Sequence, residues 1–180
     1  MHSPADSRRA ELASTVRRLA LQTPLVDIHT HLYDPAFGSL LLWGLDEQLV
    51  YHYLVAEAFR VHDLPFEAFW RLPKSDQADL VWRMLFTDRS PLSEAARGVL
   101  TSLHRLGLDP RRQDLPALRR WFAGWKVEDF VTRCLDLAGV RTVFMTNSPF
   151  DDLERPRWEE GFARDPRFQA ALRIDPLLVN

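Results

Sequence analysis

The chain predicts an α/β fold with parallel strands and a large helical insertion, and three observations carry that prediction. Strand-like and helix-like segments alternate near its end, as βαβ units require. Residues 40–125 show helical periodicity only, so the insertion follows directly on the first strand. That strand closes on two histidines one residue apart, at the strand end where parallel sheets present their ligands.

Residues 7–21 carry Leu12, Val16 and Leu19 at helical spacing, which predicts an amphipathic helix that Pro24 stops. Residues 25–31 are nearly continuously apolar, the pattern of a strand buried on both faces. Asp34, Pro35 and Gly38 mark a loop. Three helices are expected in the insertion. Residues 46–60 place Leu49, Tyr53 and Ala56 on one stripe, and residues 74–86 place Leu80, Val81, Met84 and Leu85 together. Residues 90–106 have Ser90 as N-cap, Pro91 at the first helical position and Gly107 past the end. After Trp125 the rhythm changes. A helix over 127–138 closes at Gly139, a strand covers 141–146, and Asn147, Ser148 and Pro149 form a loop. A short helix over 158–164 and a strand over 168–174 complete the pattern. The segments divide as 1–39, 40–125 and 126–180.

Composition narrows the function classes. A length of 180 residues suits one core. A net charge of −2 gives no basic footprint, so no nucleic-acid partner is expected. No apolar run approaches the roughly 20 residues needed to span a bilayer, so no membrane partner is expected either. The lone Cys134 cannot form an internal disulfide, suits a reducing compartment and reads as an inert thiol. Asp6, Arg8, Arg9 and Glu11 break any signal-peptide core, and a cytoplasmic location is the expectation.

Strand side chains alternate, so His29 and His31 project to one face about two residue rises apart and can grip one cation. Neutral imidazoles on a rigid strand favour zinc or a similar divalent ion. A pair of hydrogen-bonded core histidines is the other reading. Asn147 and Ser148 end the second strand, and Arg173 and Asp175 the third, at the same edge of a parallel sheet.

Asp27-Ile28-His29-Thr30-His31 at the end of a first strand resembles the opening metal motif of the amidohydrolase superfamily of (β/α)8 barrels. The insertion directly after it resembles that of the uronate (glucuronate) isomerases, and further segments match in order. Tyr51-His52-Tyr53 resembles the family's Asp-His-Tyr. Ser90-Pro91-Leu92 and the helix running to Leu106-Gly107-Leu108 resemble its Asn-Pro-Leu and Phe-Gly-Ile. Arg173-Ile174-Asp175 resembles its Arg-Pro-Asp. Departures occur at Tyr51 in place of aspartate, at Leu54, Val55 and Ala56 in place of Lys-Trp-Arg, and at Ile174 and Pro176 in place of proline and lysine.

The resemblance implies the N-terminal part of a (β/α)8 TIM-type barrel with a large helical insertion after the first strand. It implies that His29 and His31 bind one divalent metal, zinc foremost. Tyr53 and Arg173 would be catalytic, and both, with His52, would contact the substrate. That substrate would be a small sugar acid interconverted between aldose and ketose forms, such as glucuronate and fructuronate. A barrel of this type needs about 250 residues and three strands are legible, so the chain is expected to be part of a longer protein. Alone it would be inactive; full length, it could form a homo-oligomer. Two other functions fit the same residues: a metal-dependent hydrolase or decarboxylase of the superfamily, and a non-catalytic fragment or interaction module. At single positions, Tyr53 reads equally as a core tyrosine, and Arg173 as a surface salt-bridge partner.

Overall fold

The computed structural model describes residues 4–161, 164–172, 174 and 178. In chain order the elements are α1 (Pro4–Gln22), β1 (Leu25–Thr30), α2 (Leu45–Leu49), α3 (His52–Val61), α4 (Phe66–Trp70), α5 (Lys74–Trp82), α6 (Glu94–Arg105), α7 (Leu115–Ala123), α8 (Val127–Ala138), β2 (Val140–Met145), α9 (Arg155–Glu160) and β3 (Phe168–Ala170). A 3-10 turn covers Pro35–Leu40 and a π-helical turn covers Arg83–Thr87. Contacts divide the chain into two compact units, residues 1–41 with 131–180, and residues 42–130.

The first unit is built on a parallel sheet with strand order β1-β2-β3. Phe37, Leu135, Val143, Met145 and Phe168 form its buried core, with Tyr33, Leu40, Val131, Val140 and Trp158 packed against it. Val143 and Met145 alternate with more exposed neighbours along β2, so one face of that strand is committed to the core. Burial of side chains of this size contributes about 1.5–3 kcal/mol each.

Three expectations for this unit need correction. β1 forms, but it is not buried on both faces: Leu25 and Val26 are exposed, and Ile28 is 76% exposed. Among the described residues β1 pairs with β2 alone and lies at the sheet edge. An apolar run states what a strand would bury, whereas burial also needs a partner layer. The last strand ends at Ala170 rather than 174, and Leu172 and Ile174 are exposed. The helix expected over 158–164 instead starts at Arg155 and stops before Gly161, whose φ of 66° suits a residue lacking Cβ. α1 forms with its Leu12, Val16 and Leu19 stripe exposed.

The second unit is helical, and its core includes Leu49, Leu54, Ala58, Phe69, Val81, Leu85, Val99, Leu103, Leu118 and Phe122. Arg119 of α7 ties the helices together. It donates to Asp46 at 2.8 Å and to the Ser75 carbonyl at 2.9 Å, and pairs with Asp79 at 2.8 Å. Four expectations change here. The helix expected over 46–60 breaks at Val50 and Tyr51 into α2 and α3. α3 buries Leu54, Val55 and Ala58 rather than Tyr53 and Ala56, a shift in phase that turns Tyr53 outward. The N-cap of α6 is Ser93, not Ser90: its hydroxyl accepts from the Ala96 amide at 3.1 Å and donates to Glu57 at 2.6 Å. α4 and α7 are additional helices, and the stretch over 74–86 is α5 followed by the π-helical turn.

Candidate metal centre at the strand ends

His29 lies near the C-terminal end of β1, and His31 follows its last residue. Both are exposed, and among the described residues neither imidazole has a hydrogen-bond partner, so the reading as bonded core histidines does not hold. Their ring centroids are 5.4 Å apart, with the ring planes at 89°. Two imidazoles sharing one zinc ion at Zn–N of about 2.0–2.1 Å have centroids roughly 5 Å apart. The spacing and the nitrogen donors therefore fit two positions of one metal shell. Among the described residues no third His, Cys, Asp or Glu is close enough to join them.

Local backbone chemistry sets this arrangement. Pairing between β1 and β2 runs Asp27 to Val143 and Thr30 to Met145, with a register shift in between. Side chains brace the irregular stretch. The Asp27 carboxylate accepts from the His29 amide at 3.1 Å, and the Thr30 hydroxyl accepts from the Leu32 amide at 3.1 Å. From β2's end, the Thr146 hydroxyl donates to the Thr30 carbonyl at 2.6 Å.

The loop after β1 is anchored by a polar network invisible to periodicity. Glu154 is buried and accepts from the Tyr33 hydroxyl at 3.0 Å and from the Trp158 indole at 3.3 Å. Burial, then the bond to Glu154 and its charge, push the Tyr33 phenol up to about 12. Asp34 is also buried, and its two oxygens accept from the Ala36 amide at 2.8 Å and the Asp165 amide at 2.9 Å. Asp34 before Pro35 carried a capping signal; Glu154, 121 positions from Tyr33, carried none.

The remaining strand-end residues divide. Asn147, after β2, is 9% exposed, and among the described residues its Nδ2 has no hydrogen-bond partner. Arg173 and Asp175 lie outside the described residues. His52 and Tyr53 open α3 in the second unit, where His52 stands between Tyr51 and Tyr53 at ring distances of 4.2 Å to each. Tyr53 is 62% exposed, which excludes its reading as a core tyrosine.

No protein-family model matches the chain, and no curated protein matches it. A solved structure does. It is a uronate isomerase from Bacillus halodurans, superposing with a TM-score of 0.91 at 52% sequence identity. The match covers 99% of this chain and 41% of that one, so the chain spans less than half the length of the protein it resembles. At 52% identity over 99% of its length, the chain resembles part of a protein of the uronate isomerase family.

Proposed function

We propose that this chain supplies part of the active site of a metal-dependent uronate isomerase, and that its three parallel strands open a (β/α)8 barrel. The observation that carries the reading is the exposed pair His29 and His31 at a strand end, in a chain 52% identical to a uronate isomerase. His29 and His31 would hold one divalent ion, zinc foremost. Such an ion would polarise the carbonyl oxygen and so acidify the C–H of the adjacent hydroxyl-bearing carbon.

The chain's own side chains take the complementary tasks. Arg173 offers a planar fork of N–H donors, suited to a uronate carboxylate through paired charge-assisted bonds. Tyr53 and His52, exposed at the start of α3, bind sugar hydroxyls, with the Tyr53 phenol holding or releasing a proton at a hydroxyl oxygen. The substrate is an aldose or ketose uronate of the glucuronate and fructuronate kind. Cys134 takes no part, since burial raises its thiol pKa and keeps it protonated, and a lone inert thiol suits the cytoplasm.

The test is interconversion of an aldose uronate by the full-length protein, followed by appearance of the ketose. His29→Ala and His31→Ala are expected to abolish turnover. Arg173→Ala is expected to raise KM, by the equivalent of about 2–5 kcal/mol if the carboxylate pair is buried. Undiminished turnover in both histidine variants would contradict the proposal.

A further inference from the structure

We propose that Thr146 is a positioning residue for the histidine pair: its hydroxyl, donated across strands to the Thr30 carbonyl, sets the angle between the two imidazoles. The inference rests on the reading of His29 and His31 as metal ligands. Thr30 is the single residue between them, and the peptide unit joining Thr30 to His31 carries the carbonyl that Thr146 engages. Rotating that peptide plane changes ψ of Thr30 and φ of His31 together, and so swings the His31 Cβ relative to His29.

This peptide lies at the end of an irregular ladder: the β1–β2 register slips between Asp27 and Thr30, and Thr30, paired with Met145, is the last residue of β1. Strand irregularities of this kind re-aim side chains next to sites, and something must then fix the new aim. Here three side-chain bonds do so. Asp27 and Thr30 brace the chain from within β1, whereas Thr146 is the brace that comes from the neighbouring strand. Thr30 itself is buried, so its carbonyl would lose a partner that water does not readily replace.

The experiment is a Co2+ titration of the full-length, metal-free protein, followed by the ring signals of His29 and His31 in NMR spectra. Thermal unfolding of the metal-free chain serves as the control. Thr146→Val removes the hydroxyl at nearly constant shape, and Thr146→Ser keeps it. Supporting groups of metal-binding histidines typically change affinity 10–100-fold, so Thr146→Val is expected to weaken Co2+ binding about tenfold or more. Thr146→Ser should stay within about twofold of wild type on the same scale. If Thr146→Val does not fold, Thr146→Ala removes the same hydroxyl and decides the matter. Wild-type affinity in the hydroxyl-free variant overturns the proposal, whether or not its unfolding midpoint falls. So does an equal loss in Thr146→Ser. Should the His29→Ala/His31→Ala double variant bind Co2+ as wild type does, or neither ring respond in the wild-type chain, the metal reading itself fails, and the role of Thr146 with it.

Discussion

Glu154 and Tyr33 illustrate how much of the first unit depends on single polar side chains. Glu154 is 6% exposed, and its two oxygens are occupied by the Tyr33 hydroxyl and the Trp158 indole. Glu154→Leu would remove the acceptor of the half-buried Tyr33 hydroxyl, and leaving such a donor unsatisfied costs about 1–3 kcal/mol. Urea unfolding should therefore show a lower midpoint with an unchanged slope. A midpoint equal to wild type would mean that water replaces the carboxylate without loss. Tyr33 offers a second readout. Its folded pKa, pushed up to about 12, lies above the ordinary tyrosine value of about 10. The stability this group contributes is thus fully present below about pH 10 and is lost as pH rises toward 12. An alkaline absorbance titration should show a tyrosinate step near pH 12 that Tyr33→Phe removes. A wild-type step confined to pH 10 would contradict the burial of the Tyr33 phenol and its bond to Glu154.

Among the elements, those with strong local punctuation were legible and those specified by distant contacts were not. α8 was read at its observed bounds because Gly139, at φ 69°, ends it, and β2 was read to within one residue. α7 went unread although Asp114 caps it, Pro116 stands in its first turn, and Leu115, Leu118 and Phe122 give it a helical stripe. At α6 the Ser90-Pro91 signal outweighed Ser93 in the sequence. The structure prefers Ser93, whose hydroxyl also reaches Glu57, 36 positions away. Tyr53 was assigned to a buried stripe because Leu49 and Ala56 continue one helical period through it. The break at Val50 and Tyr51 resets that period. Ser93→Ala should destabilise the second unit by about 1 kcal/mol, the usual cost of an N-cap, measurable by thermal unfolding. No shift in the transition would return the cap to Ser90.

For the whole chain, the α/β class with parallel strands and the proximity of the two histidines were legible because both depend on residues close in sequence: βαβ alternation, and a spacing of two along a strand. Burial of β1 was not, since its apolar residues Leu25, Val26 and Ile28 stay exposed among the described residues. The same holds for the brace from Thr146, which is 116 positions from Thr30. The two groups of candidate site residues belong to separate units, His29 and His31 to the first, and His52 and Tyr53 to the second. The proposed function stands on the two histidines being ligands of one ion. Zinc K-edge absorption of the full-length, zinc-loaded protein tests it most directly. The prediction is two imidazole nitrogens at about 2.0–2.1 Å, lost in the His29→Ala/His31→Ala variant together with bound zinc. An unchanged imidazole signal and full zinc content in that variant would contradict it.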